Sequence, residues 1–119
     1  MDTKAIAARL IELCRKNEFE NAQAELYAEN AVSIEQYPTP MFPKETHGKE
    51  AIAKKMETFN GLVEAYHETK ISEPLIAGNS FAVVMTMDMT MKKEGRMNMS
   101  ELCVYETKDG KIISESFHM

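Results

Sequence analysis

Glu101 is a carboxylate set where a charge is poorly served. In the stretch from residue 97 to 105, Met97, Met99, Glu101, Cys103 and Tyr105 occupy every second position. A period of two places all of them on one face of a strand. Thioethers and a thiol offer a carboxylate little hydrogen bonding, and desolvation raises the pKa of a carboxyl group. Glu101 is therefore fitted to be a general acid or a neutral hydrogen-bond donor near pH 7. The structural alternative is a glutamate satisfied by a partner such as His67. Glu115 lies on the next alternating stretch with Ile113, Phe117 and Met119. It either titrates together with Glu101 or stays wet at a rim. His67 shares parity with Val63 and Ala65. That parity points it inward, as a satisfied core histidine or as a proton shuttle.

These residues depend on a hairpin running from Phe81 to Tyr105. Phe81, Val83, Met85, Met87, Met89 and Met91 alternate with Ala82, Val84, Thr86, Asp88, Thr90 and Lys92. A three-residue loop, Lys93-Glu94-Gly95 with glycine left-handed, pairs Met91 with Met97, Met89 with Met99, Met87 with Glu101, Met85 with Cys103 and Val83 with Tyr105. The methionines then share one face around Glu101. A two-residue Glu94-Gly95 turn would split them between faces, and the three-residue loop is preferred. The same geometry at Lys108-Asp109-Gly110 pairs Tyr105 with Ile113, Cys103 with Glu115 and Glu101 with Phe117. Ten methionines in 119 residues is a high share. Methionine is flexible and polarizable and suits a wall that fits an apolar ligand, although it also fills ordinary cores. The expected ligand-facing set is Met85, Met87, Met89, Met99, Cys103, Tyr105 and Phe117.

Upstream, Ile6, Leu10, Leu13 and Cys14 mark an amphipathic helix from about Thr3 to Lys16, capped by Asp2 or Thr3. Asn17 with Glu20 reads as a variant capping box for a second helix, buried through Phe19, Ala22, Leu26 and Tyr27 and ending near Asn30. Residues 31–36 form a short strand. Tyr37-Pro38-Thr39-Pro40-Met41-Phe42-Pro43 holds three prolines and must be a loop, either a lid or a surface-packed segment. A third helix runs from Gly48 to Gly61 and buries Ile52, Met56 and Phe59. Helices first and long strands afterwards imply an α+β fold, one domain over residues 1–119 with the helices on one face of a curved antiparallel sheet. The other face carries Val84, Thr86, Leu102 and Val104, apolar enough to suggest a homodimer interface.

A net charge of −5 without a basic cluster argues against nucleic acid. No apolar run approaches the ~18 residues of a membrane span, and no signal peptide precedes the first helical pattern. Cys14 and Cys103 read as reduced core thiols, which fits a cytoplasmic protein. His47 reads as a loop residue and His118 faces away from the methionine side. The three histidines lack ligand spacing, so no metal is expected. With no glycine-rich phosphate loop either, no cofactor is expected.

Four segments carry a resemblance: Ala8 to Leu13, Leu26-Tyr27-Ala28-Glu29-Asn30-Ala31-Val32, His47-Gly48-Lys49-Glu50-Ala51-Ile52, and Val104-Tyr105-Glu106 through Asp109-Gly110-Lys111-Ile112. In this order the chain resembles the nuclear transport factor 2-like superfamily, a cone-shaped α+β fold, and within it the SnoaL-like polyketide cyclases and the ketosteroid isomerases. The resemblance implies a general base at Glu35 and a protonated oxyanion-holding acid at Glu101. It places Leu10, which cannot donate a hydrogen bond, where the isomerases carry a tyrosine. The cyclase branch implies an acid on a late cavity strand, which Glu101 or Glu115 supplies. Parity leaves Glu35 open: if Val32 and Ile34 point into the cone, Glu35 points out.

Two functions fit this reading. One is an isomerase-, cyclase- or lyase-type enzyme that does acid–base chemistry on a small apolar carbonyl compound, through Glu101 with Glu115, Glu35 or His67. The other is a non-catalytic module of the same fold that binds an apolar ligand or serves as a dimeric scaffold.

Overall fold

A computed structural model describes residues 1–119. The elements run α1 (Thr3–Arg15), α2 (Phe19–Leu26), β1 (Tyr27–Ile34), β2 (Glu45–His47), α3 (Lys49–Leu62), β3 (Val63–Ile71), β4 (Leu75–Ala77), β5 (Ser80–Met91), β6 (Gly95–Lys108) and β7 (Lys111–His118). Asp2 caps α1, its carboxylate accepting from the Ala5 N–H at 2.8 Å. The capping box expected at Asn17 does not form. Asn17 adopts a left-handed φ of 59°, and α2 starts two residues later without a side-chain cap. Tyr27 is not helical, because α2 gives way to β1 at that residue.

The strands lie in the order β2-β1-β7-β6-β5-β3, with β4 on the edge of β5. All pairings are antiparallel except β1 with β7, which is parallel and makes the sheet mixed rather than wholly antiparallel. Three helices pack on one face. Their buried side, including Ile6, Leu10, Leu26 and Ile52, meets Phe81, Val83, Met89 and Cys103 of the sheet in one apolar core. Burial along β5 follows the alternation, with Phe81, Val83, Met85, Met87, Met89 and Met91 all buried.

Two turns depart from the expected registers; both leave Glu101 and Glu115 on their expected faces, while Ile113 loses its place to Ile112. In the first hairpin the loop is Lys92-Lys93-Glu94, and Gly95, at φ 81°, is already the first residue of β6, opposite Met91. Moving a three-residue loop back by one position displaces the ladder by two. Met89 therefore pairs with Met97, Met87 with Met99, Met85 with Glu101 and Val83 with Cys103. Met87 is not the partner of Glu101, yet an even displacement leaves every side chain on its expected face. In the second hairpin Asp109 (φ 52°) and Gly110 (φ 79°) form a two-residue turn between Lys108 and Lys111. Such a turn alone would invert the faces of β7. A bulge restores them: Thr107 pairs with Ile112 and Glu106 with Ser114, leaving Ile113 as the extra residue. Ile112, not Ile113, is consequently the fully buried residue, and Glu115 pairs with Tyr105.

Candidate functional site

A cavity of about 260 Å³ lies between the helices and the sheet. Its helix side is formed by residues such as Leu10, Phe19, Gln23 and Phe59, and its sheet side by Met85, Met87, Met99, Tyr105 and Phe117. Tyr37, Thr39 and Phe42 of the proline-rich loop also line it, so that loop borders the cavity, with Tyr37 and Met41 largely exposed. The loop is held by its own turn: Phe42 N–H donates to Thr39 Oγ1 at 3.1 Å, and Thr39 N–H donates to the Phe42 carbonyl at 2.9 Å.

Three carboxyl groups and one ammonium group meet in this cavity. Glu115, 3% exposed, accepts hydrogen bonds from the Tyr27 hydroxyl and, at 2.6 Å, from Ser33 Oγ. The parallel β1–β7 pairing makes this possible by setting Ser33 beside Glu115. The Glu115 pKa is raised, burial outweighing the two donated hydrogen bonds that pull it down. Lys55, on the apolar side of α3 with Ile52, Met56 and Phe59, donates to Ser33 Oγ at 2.6 Å and to Glu35 Oε1 at 3.1 Å. Its ammonium also lies 5.6 Å from the centre of the Phe117 ring. An ammonium has three donors and two are engaged by oxygen, which leaves one N–H for a ligand. Glu35 thus points into the cavity; it is Val32 and Ile34 that do not continue its face, since buried Ser33 shares parity with Glu35.

Glu101 stands apart from this chain of contacts. Its one hydrogen-bonding neighbour is the Cys103 thiol, 3.8 Å from Oε1. Burial first, then the proximity of Glu35, pushes its pKa up to about 7. With its pKa there, a substantial share of Glu101 is neutral and able to donate at ordinary pH.

Several expected positions lie elsewhere. His67 is exposed, and its Nε2 lies 2.7 Å from Thr90 Oγ1 on the outer side of the sheet. Irregularities in the β3–β5 ladder between Val63 and Ala65 and between Tyr66 and Glu68 break the parity that pointed it inward. Met89 and Cys103 are fully buried in the core and do not line the cavity. Tyr27, Ser33 and Lys55 were not legible as site residues. The available signal for Lys55 was a lysine three residues after Ile52 on an otherwise apolar helix face. No group of three or more His, Cys, Asp or Glu side chains is placed to hold a metal ion, and no helix is long and apolar enough to cross a membrane.

Three helices on a curved, open, mixed sheet, enclosing a cavity with acids on its sheet wall, define the nuclear transport factor 2-like, cystatin-like fold. The SnoaL-like domain model matches residues 1–119, and the chain belongs to that family. A crystal structure of a candidate SnoaL-like polyketide cyclase from Mesorhizobium loti is 31% identical, with a TM-score of 0.91 and full coverage of both chains. A nuclear transport factor 2-like protein from Burkholderia pseudomallei is 13% identical, with a TM-score of 0.80 over 100% of this chain and 92% of its own. A protein with a ketosteroid isomerase-like fold from Catenulispora acidiphila, solved with trimethylamine, is 13% identical, with a TM-score of 0.72 over 96% and 84% of the two chains. No curated protein matches the sequence.

Proposed function

We propose that the chain is an acid–base enzyme of isomerase or cyclase type, acting on a small apolar carbonyl compound in this cavity. The observation that carries this reading is the contrast between two carboxyl groups. Glu35 lies 3.1 Å from a lysine ammonium, whereas Glu101 has only a thiol for a neighbour and a pKa pushed up to about 7. Paired titratable groups in opposed surroundings are how one site holds a base and an acid together.

In the proposed reaction, Glu35, beside the Lys55 ammonium, takes the proton from the carbon next to the carbonyl. The electron pair of that C–H bond forms the enol double bond. Charge developing on the oxygen is met by the Glu101 O–H and by the free N–H of Lys55. Lys55 thus supplies the donor that Leu10 cannot. Glu35 then returns the proton to another carbon, which isomerises the compound. Alternatively the enolate carbon attacks a second carbonyl in the same molecule and closes a ring; the C=O electron pair moves onto that oxygen, and the alkoxide so formed takes the proton held by Glu35. The likeness to a candidate polyketide cyclase supports this class.

The test is deuterium exchange at the α-carbon of α-tetralone, together with isomerisation of a β,γ-unsaturated cyclohexenone, both followed by NMR. The protein should accelerate at least one, Glu35→Gln should abolish the effect, and Glu101→Gln should reduce it. Binding of either ketone without turnover would favour a non-catalytic ligand-binding module. Absence of both binding and turnover would overturn the reading.

A further inference from the structure

From one unpaired amide we infer that the ligand carries a hydroxyl group that is read by Gln23, in addition to the carbonyl of the proposed reaction, on which this inference rests. Gln23 lies on the buried face of α2 with Phe19, Ala22 and Leu26. It is only 9% exposed and lines the cavity. Its Oε1 is buried without a hydrogen-bond partner. The three carboxyl groups of the cavity wall differ from it. Glu115 is held by Tyr27 and Ser33, and Glu35 by Lys55. The Glu101 carboxyl tends to neutrality for want of partners.

An amide kept from water without a partner is destabilising, and proteins leave few such groups. A cavity wall of leucine, phenylalanine and alanine would be served better by a leucine at this position. An unpaired amide there becomes favourable when a ligand supplies the missing bond. A half-turn of the amide plane exchanges its oxygen and nitrogen. A hydroxyl both donates and accepts, so it satisfies the group in either orientation. Gln23 belongs to the helix wall and Glu101 to the sheet wall. The ligand class is therefore a small apolar carbonyl compound with a hydroxyl on a different part of its skeleton.

The experiment measures binding of α-tetralone, a ring-hydroxylated α-tetralone and tetrahydronaphthol to the full chain by calorimetry, for the parent and for Gln23→Leu. The parent should bind the best hydroxylated isomer about tenfold more tightly than α-tetralone, the worth of one hydrogen bond in a dry site. Gln23→Leu should bring that ratio to about one. Should Gln23→Leu fail to fold, Gln23→Met serves the same comparison. Equal affinities in the parent across the hydroxylated isomers, or a preference that survives the substitution, would overturn the inference. Gln23-dependent binding of tetrahydronaphthol with no binding of α-tetralone would leave the hydroxyl site standing and remove the carbonyl reading. Binding of none of the three would overturn both.

Discussion

Glu101 stands opposite Met85 across the β5–β6 ladder, and the Cys103 thiol at 3.8 Å is the one group that hydrogen-bonds its carboxyl. The folded chain holds this group at about 7 against an ordinary 4.5, through burial first and the nearby Glu35 second. A raised folded-state pKa means that the unfolded chain ionises first. Stability is then greatest below the ordinary value, falls as pH rises from 4.5 to about 7, and levels off above. Glu101→Gln should lose this slope and be more stable than the parent above pH 7 by roughly 1–3 kcal/mol. Urea denaturation across that range reads the difference. A variant less stable than the parent there would show an ionised, structurally paired glutamate.

Tyr27→Phe removes one donor from the buried Glu115 carboxyl. A hydrogen bond to a charged buried group is worth roughly 1.5–3 kcal/mol, and the loss in unfolding free energy should fall in that range. Without the phenol the Glu115 pKa rises further, so the loss should be larger at pH 8 than at pH 5. An equal loss at both values would indicate a carboxyl that stays protonated throughout.

Lys55→Met keeps most of the apolar stem and removes the ammonium from Glu35, Ser33 and Phe117. Ketone α-exchange should fall by about a hundredfold, as expected for loss of a group acting on the transition state, and Lys55→Arg should recover part of it. Thermal melting should separate this from unfolding. An unchanged exchange rate in a folded Lys55→Met protein would reduce the Lys55–Glu35 pair to a structural contact.

We propose that the outer face of the sheet joins two copies of the chain. Val84 and Leu102, cross-strand partners on that face, are 45% and 41% exposed, and Leu75 on neighbouring β4 is 78% exposed. Replacing Val84 and Leu102 together by arginine should convert a dimer to a monomer in sedimentation analysis. A soluble double variant that sediments as the parent does would refute this interface.

The fold was readable wherever period and burial agree. Met85 and Met87 took their expected face because β5 alternates without interruption. Glu101 and Glu115 keep their faces although neither turn follows the expected register, because the ladders at both residues, the second beyond its bulge, are displaced by an even number of residues. His67 failed because a bulge leaves little mark in the sequence. The Tyr27–Glu115–Ser33 contacts were illegible for another reason. They depend on a parallel pairing of the first long strand with the last, and such a distant pairing leaves no local signal. Tyr27 itself fits the apolar side of a helix as well as the start of a strand, which hid its role.

Five of the ten methionines, Met56, Met85, Met87, Met99 and Met119, line the cavity, while Met89 is sealed in the core. Peroxide turns a thioether into a polar, chiral sulfoxide that methionine sulfoxide reductases can reverse. An oxidant small enough to enter the cavity would therefore alter its lining before it reached Met89. Apolar ligand binding should fade at oxidant doses that leave the protein folded, and it should return on enzymatic reduction. Occupancy by the proposed apolar ligand would thereby follow the oxidant load of the surroundings.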